Sequence, residues 1–225
     1  MKNSVKKLLV FDFDGTIADT SADIIHATHL LFDKKGIARV EDHIVEESIG
    51  MGFLNLLQKV LPEGTDVNSA IKELYNEFIE IYDSHYLDNI QVFSGFEDFL
   101  KAWDGQVAII SNKIEKYVVD SIYHLKMDHY PWEAIIGGDT FHVAKPDAYV
   151  LQEVMKKAGV TPLETVMIGD GLPDVLVAKN AGVDSIAVEF GYSPIHELRN
   201  AGAEHTLDHY CNLFDCLDVI NAKYS

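Results

Sequence analysis

Short apolar runs alternate with amphipathic segments along most of this 225-residue chain, and this alternation restricts the fold more than any other feature. The segment after residue 112, for example, carries Ile114, Val118, Ile122 and Leu125 at helical spacing. Strands that alternate with helices predict βαβ units, and therefore a parallel sheet with helices on both faces. The predicted strands are residues 8–13, 107–111, 134–137, 166–169 and 185–188.

The stretch from residue 18 to residue 90 interrupts this alternation. It holds helical patterns at 23–34, 41–48, 53–60 and 67–86, and no convincing strand. The simplest α/β architecture is a Rossmann-like core of residues 1–17 and 91–225, into which residues 18–90 are inserted as a helical cap. We expect short joints near 17–20 and 91–95, because neither place has the composition of a linker.

The charge and the cysteine content exclude several classes of function. The chain has 36 acidic and 18 basic residues, which gives a formal net charge of −18. Such a surface repels nucleic acid and anionic lipids, so we expect neither as a partner. No apolar run approaches the ~20 residues of a membrane span. Residues 1–13 faintly resemble a signal peptide, but their apolar stretch is short and Asp12 interrupts it, so we expect a buried first strand there. The two cysteines match no zinc motif, and we expect a cytoplasmic monomer or dimer.

Two aspartates stand two residues apart where the first predicted strand ends. Residues i and i+2 of a strand point to the same face, so Asp12 and Asp14 can both lean toward a site at the strand's carboxyl end. Two close carboxylates need a divalent cation or a shared proton, and an aspartate can also attack phosphorus. The simpler alternative is a turn made by Asp14 and Gly15.

Two further groups of polar residues follow predicted strands. Ser111 and Asn112 precede a helix, where a hydroxyl and free amides suit an oxyanion, although Ser111 could instead cap the helix. Lys145 precedes Pro146, which suits a first helical turn. Lys145 could therefore pair with a phosphate from a fixed position, or it could be an ordinary solvated lysine.

A second acidic turn follows the predicted strand 166–169. There Asp170 and Asp174 could ligate a hard cation and orient its waters, or they could form a turn with a capping aspartate. This turn completes a series of motifs, which in chain order are Asp12-x-Asp14-Gly-Thr, Ser111, Lys145 and Gly-Asp170-x-x-x-Asp174. The series resembles the haloacid dehalogenase superfamily over essentially the whole chain, and the inserted helices resemble its type 1 cap.

The resemblance implies phosphoryl transfer through an aspartyl-phosphate. It makes Asp12 the nucleophile, while Asp14 protonates the leaving oxygen and later deprotonates the hydrolytic water. It also implies Mg²⁺ held by the Asp12 carboxylate, the Asp14 carbonyl and Asp170, with Asp174 in the second shell or as an alternative ligand. The implied phosphate-binding groups are Ser111, Lys145 and the backbone amides of Phe13, Asp14 and Asn112. Charge neutralisation and positioning of this kind are what phosphoryl transfer needs.

The resemblance extends to one subgroup. An aspartate at position 14 implies phosphate ester chemistry, because dehalogenase-like and phosphonatase-like members lack it. The run Ser111-Asn112-Lys113 resembles a motif of the phosphoglycolate phosphatase group, as do the loop at 49–52 and the Gly191-Tyr192 pair. The implied function is a Mg²⁺-dependent phosphomonoester hydrolase for a small, phosphoglycolate-like metabolite. The residues after Pro146 depart from the group's pattern, which leaves the substrate open.

The cap is expected to select the substrate. Gly50, Met51 and Gly52 are candidate specificity residues, although a plain helix–helix turn explains them equally well. A carboxylate-bearing substrate would need a cation there, and Arg39 or Lys59 could supply it.

Other functions stay open at this point. A nucleotidase, a pyrophosphatase and a broad sugar-phosphate phosphatase would use the same motifs. A phosphomutase is disfavoured, because Ile24 stands where β-phosphoglucomutase-like members carry a hinge histidine, although His26 is nearby. A non-catalytic phosphate-binding protein is the least expected, since all the chemical groups are present.

Overall fold

The computed structural model describes residues 6–61 and 67–224 of the chain. The strands are β1 (Leu8–Phe11), β2 (Ala18–Asp19), β3 (Gln91–Val92), β4 (Gln106–Ile110), β5 (Trp132–Ile136), β6 (Thr165–Gly169), β7 (Asp184–Val188) and β8 (His205–Leu207). The helices are α1 (Ser21–Lys35), α2 (Asp42–Glu46), α3 (Phe53–Val60), α4 (Val67–Tyr82), α5 (Phe96–Ala102), α6 (Glu115–His124), α7 (Ala148–Ala158), α8 (Leu172–Ala181), α9 (Ile195–Ala201) and α10 (Leu213–Ala222). Two 3₁₀ turns, Pro162–Glu164 and Tyr210–Asn212, complete the described structure.

Six strands form one parallel sheet in the order β5-β4-β1-β6-β7-β8. The central strand β1 is fully buried on both faces, as parallel strands between two layers of helices usually are. Leu9 and Phe11 join an apolar cluster with α5, α6 and α10, while Leu8 and Val10 join another with α7 and α8. The sequence prediction of a parallel α/β fold is confirmed.

The five predicted strands correspond to β1, β4, β5, β6 and β7, with bounds that differ by at most two residues. The sequence analysis missed β8, whose three residues include His205 and Thr206. This short strand lies at the edge of the sheet and pairs with β7 alone, so it carries no long apolar run.

Helices α1 to α4 form a helical insert between β2 and β3. They pack around an apolar cluster that includes Leu31, Leu57 and Phe78 and to which the core contributes Tyr117 of α6. The strands β2 and β3 pair antiparallel at Ala18 with Val92, so the chain enters and leaves the insert side by side. The predicted joints at 17–20 and 91–95 contain this two-stranded ribbon, which is too short to show a periodic pattern.

The sheet topology determines which loops meet. Because β1 lies between β4 and β6 and all three are parallel, their carboxyl ends lie next to one another at one edge. Asp12 follows β1, Ser111 follows β4 and Asp170 follows β6. This edge, beneath the insert, is where ligands bind in open α/β sheets.

Candidate active site

Three buried carboxylates meet at this edge of the sheet. Oxygen atoms of Asp12, Asp170 and Asp174 all lie within 4.8 Å of one another. The amide of Asp12 donates to the Ile168 carbonyl at 2.8 Å, which ties the end of β1 to β6. Asp174 lies in the first turn of α8, where its Oδ2 accepts the Gly171 amide at 2.9 Å. The N-cap residue of α8 is Gly171, so the alternative of an N-cap aspartate was wrong. Asp174 instead accepts the N-cap amide from within the first turn and also belongs to the acidic cluster.

Both oxygens of Asp170 are held by neighbouring loops. The Thr16 hydroxyl donates to Oδ1 at 3.2 Å, and the Tyr192 amide donates to Oδ2 at 2.9 Å. Two glycines make this close packing possible. A Cβ on Gly15, whose φ is 72°, would lie 2.2 Å from Oδ2, and a Cβ on Gly191 would lie 2.1 Å from the Asp170 Cβ. The carboxylate consequently has little freedom to move.

Lys145 is buried inside the acidic cluster and is not a solvated surface lysine. Its ammonium lies 2.9 Å from Asp12 Oδ1 and 2.6 Å from Asp174 Oδ1. Because Asp12 follows β1 and Asp174 lies in the first turn of α8, Lys145 joins the nucleophile candidate to the start of that helix. The ammonium offsets part of the negative charge of the three carboxylates.

The surroundings of Pro146 differ from the sequence prediction. We expected Pro146 in the first turn of a helix, but α7 begins at Ala148 and Asp147 is its N-cap residue. The Asp147 carboxylate accepts the Tyr149 amide at 2.9 Å, as N-cap aspartates do. Pro146 precedes this cap and follows a cis peptide bond, so the prediction of its position was wrong.

The titration behaviour of the cluster follows from burial and crowding. Burial, followed by repulsion from Asp174, raises the pKa of Asp12 well above its ordinary value. The same two causes raise the pKa of Asp170 to about 7. Burial alone would lower the pKa of Lys145, but the charges of Asp12 and Asp174 outweigh it and raise that pKa.

The donor set fits a divalent metal ion. One ammonium, that of Lys145, contacts two of the three carboxyl groups, so the cluster would carry an excess of negative charge in a buried place when all three are ionised. Carboxylate oxygens are the ligands that hard divalent cations prefer, and such a cation would relieve the repulsion that raises these pKa values.

Asp14 has a different set of partners from the three clustered carboxylates. Its Oδ1 accepts the Thr20 hydroxyl at 2.6 Å and lies 2.7 Å from the Lys113 ammonium. The Lys113 side chain is only 7% exposed, and its ammonium lies 5.1 Å from the centre of the Tyr82 ring and 6.0 Å from that of Phe13. Burial would lower the pKa of Lys113, but the charge of Asp14 raises it. The sequence analysis named Lys113 within a motif and assigned it no role.

Ser111 is buried at the end of β4, but it does not cap a helix. Helix α6 begins at Glu115 and its N-cap residue is Ile114, so the predicted start at residue 113 was two residues too early. The Ser111 hydroxyl instead accepts the Lys113 amide at 3.2 Å. This hydroxyl is positioned by the loop and can still donate to an oxyanion.

One expected phosphate-binding group, the Phe13 amide, already has a partner, and so does the side chain of Asn112. The Phe13 amide donates to Asp12 Oδ1 at 2.6 Å. The Asn112 side chain donates to the Gly50 carbonyl at 3.0 Å and to the Lys145 carbonyl at 3.3 Å. Asn112 therefore joins the loop after β4 to the helical insert, a contact that the sequence did not suggest.

A cavity of about 160 Å³ lies beside Asp14, between the insert and the core. Gly50 and Gly52, both with positive φ, border this cavity. Met51 lies instead on a second cavity of about 430 Å³. The residues that line the first cavity are Asp14, Ile24, Ser48, Ile49, Gly50, Gly52, Leu56, Tyr75, Phe78, Ile79, Tyr82, Asn112, Lys113, Ile114 and Tyr117.

The two cations proposed from the sequence lie elsewhere. Arg39 is exposed and forms a two-pronged ion pair with Asp33. Lys59 borders the second cavity and lies 3.6 Å from Glu47. Among the residues that line the first cavity, Lys113 is the one with a positive charge.

Tyr192 connects the acidic cluster to the entry of the insert. Its amide holds Asp170, while its hydroxyl accepts the Thr20 amide at 2.8 Å and donates to Asp19 Oδ1 at 2.9 Å. Burial, followed by the charges of Asp14 and Asp19, raises the pKa of Tyr192. The sequence marked Tyr192 as part of a subgroup motif, and its contacts across the fold left no local signal.

The sequence profile of haloacid dehalogenase-like hydrolases matches residues 9–188, which include β1, the insert and the acidic turn after β6. The chain belongs to this family. The resemblance inferred from the motifs is thereby confirmed.

Curated relatives and a solved structure agree with this assignment. A protein from Pseudomonas aeruginosa named phosphoglycolate phosphatase 1 is 34% identical, over 94% of this chain and 80% of its own length. A phosphoglycolate phosphatase from Chromobacterium violaceum is 29% identical over 94% of this chain and 96% of its own. The structure of a haloacid dehalogenase-like family hydrolase from Streptococcus pneumoniae shares the fold, with a TM-score of 0.84 at 20% identity. The match covers 93% of this chain and 97% of the chain in that structure.

Proposed function

We propose that this protein is a Mg²⁺-dependent phosphomonoester hydrolase that acts through an aspartyl-phosphate on a small phosphorylated metabolite of the phosphoglycolate type. The observation that carries the proposal is the group of buried carboxylates, Asp12, Asp170 and Asp174, beside Lys145 at the carboxyl edge of the sheet. The names of the curated relatives support the same reaction.

The division of labour between two aspartates follows from their partners. Asp12 attacks phosphorus, since its carboxylate lies in the cluster with Lys145. Asp14, held by Thr20 and Lys113 beside the cavity, protonates the leaving oxygen and then takes a proton from the hydrolytic water. Attack and departure in line would require the two carboxyl groups to lie on opposite sides of the phosphoryl group.

The acidic cluster would hold the metal ion. Asp12, Asp170 and the backbone carbonyl of Asp14 would bind Mg²⁺, with Asp174 beside them, and bound Mg²⁺ would supply positive charge against the phosphoryl oxygens. Asp170 suits this role because Thr16 and Tyr192 fix its carboxylate in advance.

The phosphoryl group would be held by donors from three loops. Lys145 and the Phe13 amide already donate to Asp12, so a phosphoryl group that arrives beside Asp12 can share both. The Ser111 hydroxyl and the amides of Asp14 and Asn112 would complete the set. Preorganised donors of this kind need no reorganisation when charge develops in the transition state.

The helical insert, residues 18–90, would act as a cap over the core of residues 1–17 and 91–225. Its separate apolar cluster and its attachment through the β2–β3 ribbon support this division. The Asn112 bond to Gly50 closes one side of the cavity, which would keep bulk water from the reacting group. The specificity candidates Gly50 and Gly52 lie at the cavity, and Met51 lies outside it.

The size of the cavity favours a small leaving group. Its volume of about 160 Å³ is well below the 300–1,000 Å³ of pockets for drug-sized ligands. A nucleoside is therefore a poor fit, which disfavours the nucleotidase alternative. No helix in residues 6–61 and 67–224 has the length and apolar character that a membrane crossing requires. We propose a cytoplasmic protein, because its two cysteines form no disulfide, and one without a nucleic acid partner, because its net charge is −18.

Phosphate release tests the proposal directly. The parent protein should hydrolyse phosphoglycolate with Mg²⁺ and lose this activity in EDTA. Asp12→Asn should reduce kcat by at least about 10³-fold, because the amide cannot form the aspartyl-phosphate. Asp33→Asn, the same change at an exposed aspartate of the insert, is the matched control and should keep full activity.

Two results would contradict the proposal. Undiminished turnover by Asp12→Asn would remove Asp12 as the nucleophile. Failure of the parent protein to release phosphate from any member of a panel of phosphate esters would instead favour a phosphate-binding protein without catalysis.

A further inference from the structure

We propose that Lys113 is the specificity-determining residue of this site, and that it binds a carboxylate on the carbon next to the ester oxygen. The substrate class is then the phosphate monoesters of 2-hydroxy carboxylates. This inference rests on the proposed function and adds the group that recognises the substrate. It starts from the cavity beside Asp14, whose lining residues carry one positive charge, that of Lys113.

The position of the ammonium suits a carboxylate two atoms away from the ester oxygen. In the proposed mechanism Asp14 protonates that oxygen, so the oxygen must lie within hydrogen-bond distance of the Asp14 carboxyl group. Lys113 Nζ lies 2.7 Å from Asp14 Oδ1. An ammonium has three N–H donors, so its bond to Asp14 leaves donors for a second carboxylate in the same place.

The surroundings of Lys113 make it a strong recognition group. The side chain is 7% exposed and its ammonium lies over the rings of Tyr82 and Phe13, where cation–π attraction holds it in place. Water competes weakly in such a site, and a charge-assisted hydrogen bond is correspondingly strong. A substrate carboxylate without this partner would be buried among aliphatic and aromatic walls at high cost.

Tyr82 offers a second donor to the same carboxylate. Its hydroxyl is buried, lies close to the Lys113 ammonium and donates to no acceptor within the described residues, and its side chain lines the cavity. Burial raises the pKa of Tyr82 to about 12, so the hydroxyl keeps its proton at neutral pH. A hydroxyl that can donate, next to the only cation among the lining residues, is the arrangement that a carboxylate needs.

The test compares two phosphate esters of similar size, one with a charged leaving group and one with an apolar leaving group. Phosphoglycolate carries the carboxylate, and propyl phosphate carries an apolar tail of the same length. The parent protein should prefer phosphoglycolate. Lys113→Met, which keeps the length of the side chain, should reduce kcat/KM for phosphoglycolate about 10²-fold more than for propyl phosphate, mainly through KM.

Lys116→Met is the matched control, because Lys116 lies three residues further on and is exposed, with its ammonium paired to Asp83. This variant should leave the preference between the two esters unchanged. If Lys113→Met does not fold, Tyr82→Phe keeps the ring, removes only the hydroxyl, and should reduce the preference for phosphoglycolate about tenfold.

Two outcomes would overturn the inference. One is an equal fall in kcat/KM for both esters in Lys113→Met, which would mean that Lys113 merely supports Asp14 and the fold. The same result in Tyr82→Phe counts if only that variant folds. The other is a parent protein that prefers propyl phosphate. In either case hydrolysis that still depends on Asp12 would leave the proposed function intact, so the two failures can be told apart.

Discussion

The two walls of the cavity beside Asp14 are built in different ways. The core wall presents Asp14, Asn112 and Lys113, which come from the loops after β1 and β4. The wall from the insert presents mainly Ile24, Leu56 and other aliphatic or aromatic side chains. The charges that face the cavity therefore come from the core, while the insert supplies mainly apolar shape together with the Tyr82 hydroxyl.

A physical reason underlies this division. Strand ends in a parallel sheet are fixed by hydrogen bonds on both sides, so charged groups there can be paired over short distances, as Lys145 and Asp12 are. The helices of the insert are held by apolar contacts, and their charges pair with each other at the surface. Lys35 contacts Glu73, and Arg39 contacts Asp33.

The largest effect on activity is expected from a change in the acidic cluster of the core. Lys145→Met removes the ammonium between Asp12 and Asp174 without a large change of volume. We expect kcat to fall by about 10²–10³-fold, because the transition state loses a preorganised positive charge. Steady-state kinetics with both phosphoglycolate and propyl phosphate measure this, and the fall should be equal for the two esters. A loss of activity toward only one of the two esters would show that Lys145 recognises the leaving group.

An apolar deletion in the insert should act on folding instead. Leu57 is fully buried in the insert's cluster, so Leu57→Ala should lower the free energy of unfolding by about 2–5 kcal/mol. Leu54→Ala, on the same helix but 45% exposed, should cost less than about 0.5 kcal/mol. Urea unfolding followed by circular dichroism measures both. Equal effects of the two variants would contradict the view that the insert has its own core.

The acidic cluster should respond to pH and to the metal ion together. Burial raises the pKa of Asp170 to about 7 in the folded protein, so between pH 4 and 7 the native state binds protons that the unfolded state has released. In EDTA the stability of the parent protein, relative to Asp170→Asn, should therefore fall as pH rises through this range. Mg²⁺ at 100 times its dissociation constant should restore about 2.7 kcal/mol.

Urea titrations at pH 5 and pH 7, with and without Mg²⁺, measure this linkage. A relative stability that rises with pH in EDTA would contradict the raised pKa. Stabilisation of Asp170→Asn by Mg²⁺ as large as that of the parent protein would remove Asp170 from the metal site.

The smallest effect on activity is expected at Tyr192, which joins the core to the entry of the insert. Tyr192→Phe removes the hydroxyl that contacts Asp19 and Thr20 but keeps the amide that holds Asp170. We expect a loss of about 1 kcal/mol in stability and about fivefold in kcat/KM. Tyr123→Phe, at an exposed tyrosine, is the control and should be neutral. A loss of activity beyond 10²-fold would mean that the hydroxyl acts in the chemical step.

The sequence predicts the core well because the relevant signals are local. The strands around Leu9 and Ile109 are buried on both faces and appear as apolar runs, and each motif residue follows such a run. The chain order of Asp12, Ser111 and Asp170, with parallel strands before each, places them at one edge before any coordinates are known.

The rest depends on contacts between residues that are distant in the chain. Lys113 meets Asp14 across 99 residues and Tyr192 meets Thr20 across 172, and neither contact leaves a periodic pattern. Arg39 shows the converse error. Arg39 is one of two arginines in the sequence and was therefore a candidate to bind a substrate carboxylate. In the structure it is paired with Asp33, six residues away.

The ribbon of β2 and β3 gives the helical insert an unusual independence. Because Asp19 and Gln91 are neighbours across an antiparallel pair, the two ends of the insert are one strand spacing apart. A tight reverse turn grafted between them would close the main chain without disturbing any strand of the large sheet. The fold thus permits a whole helical module to be exchanged during evolution or in engineering, while Asp12, Lys145, Asp170 and Asp174 keep their mutual contacts at the sheet edge.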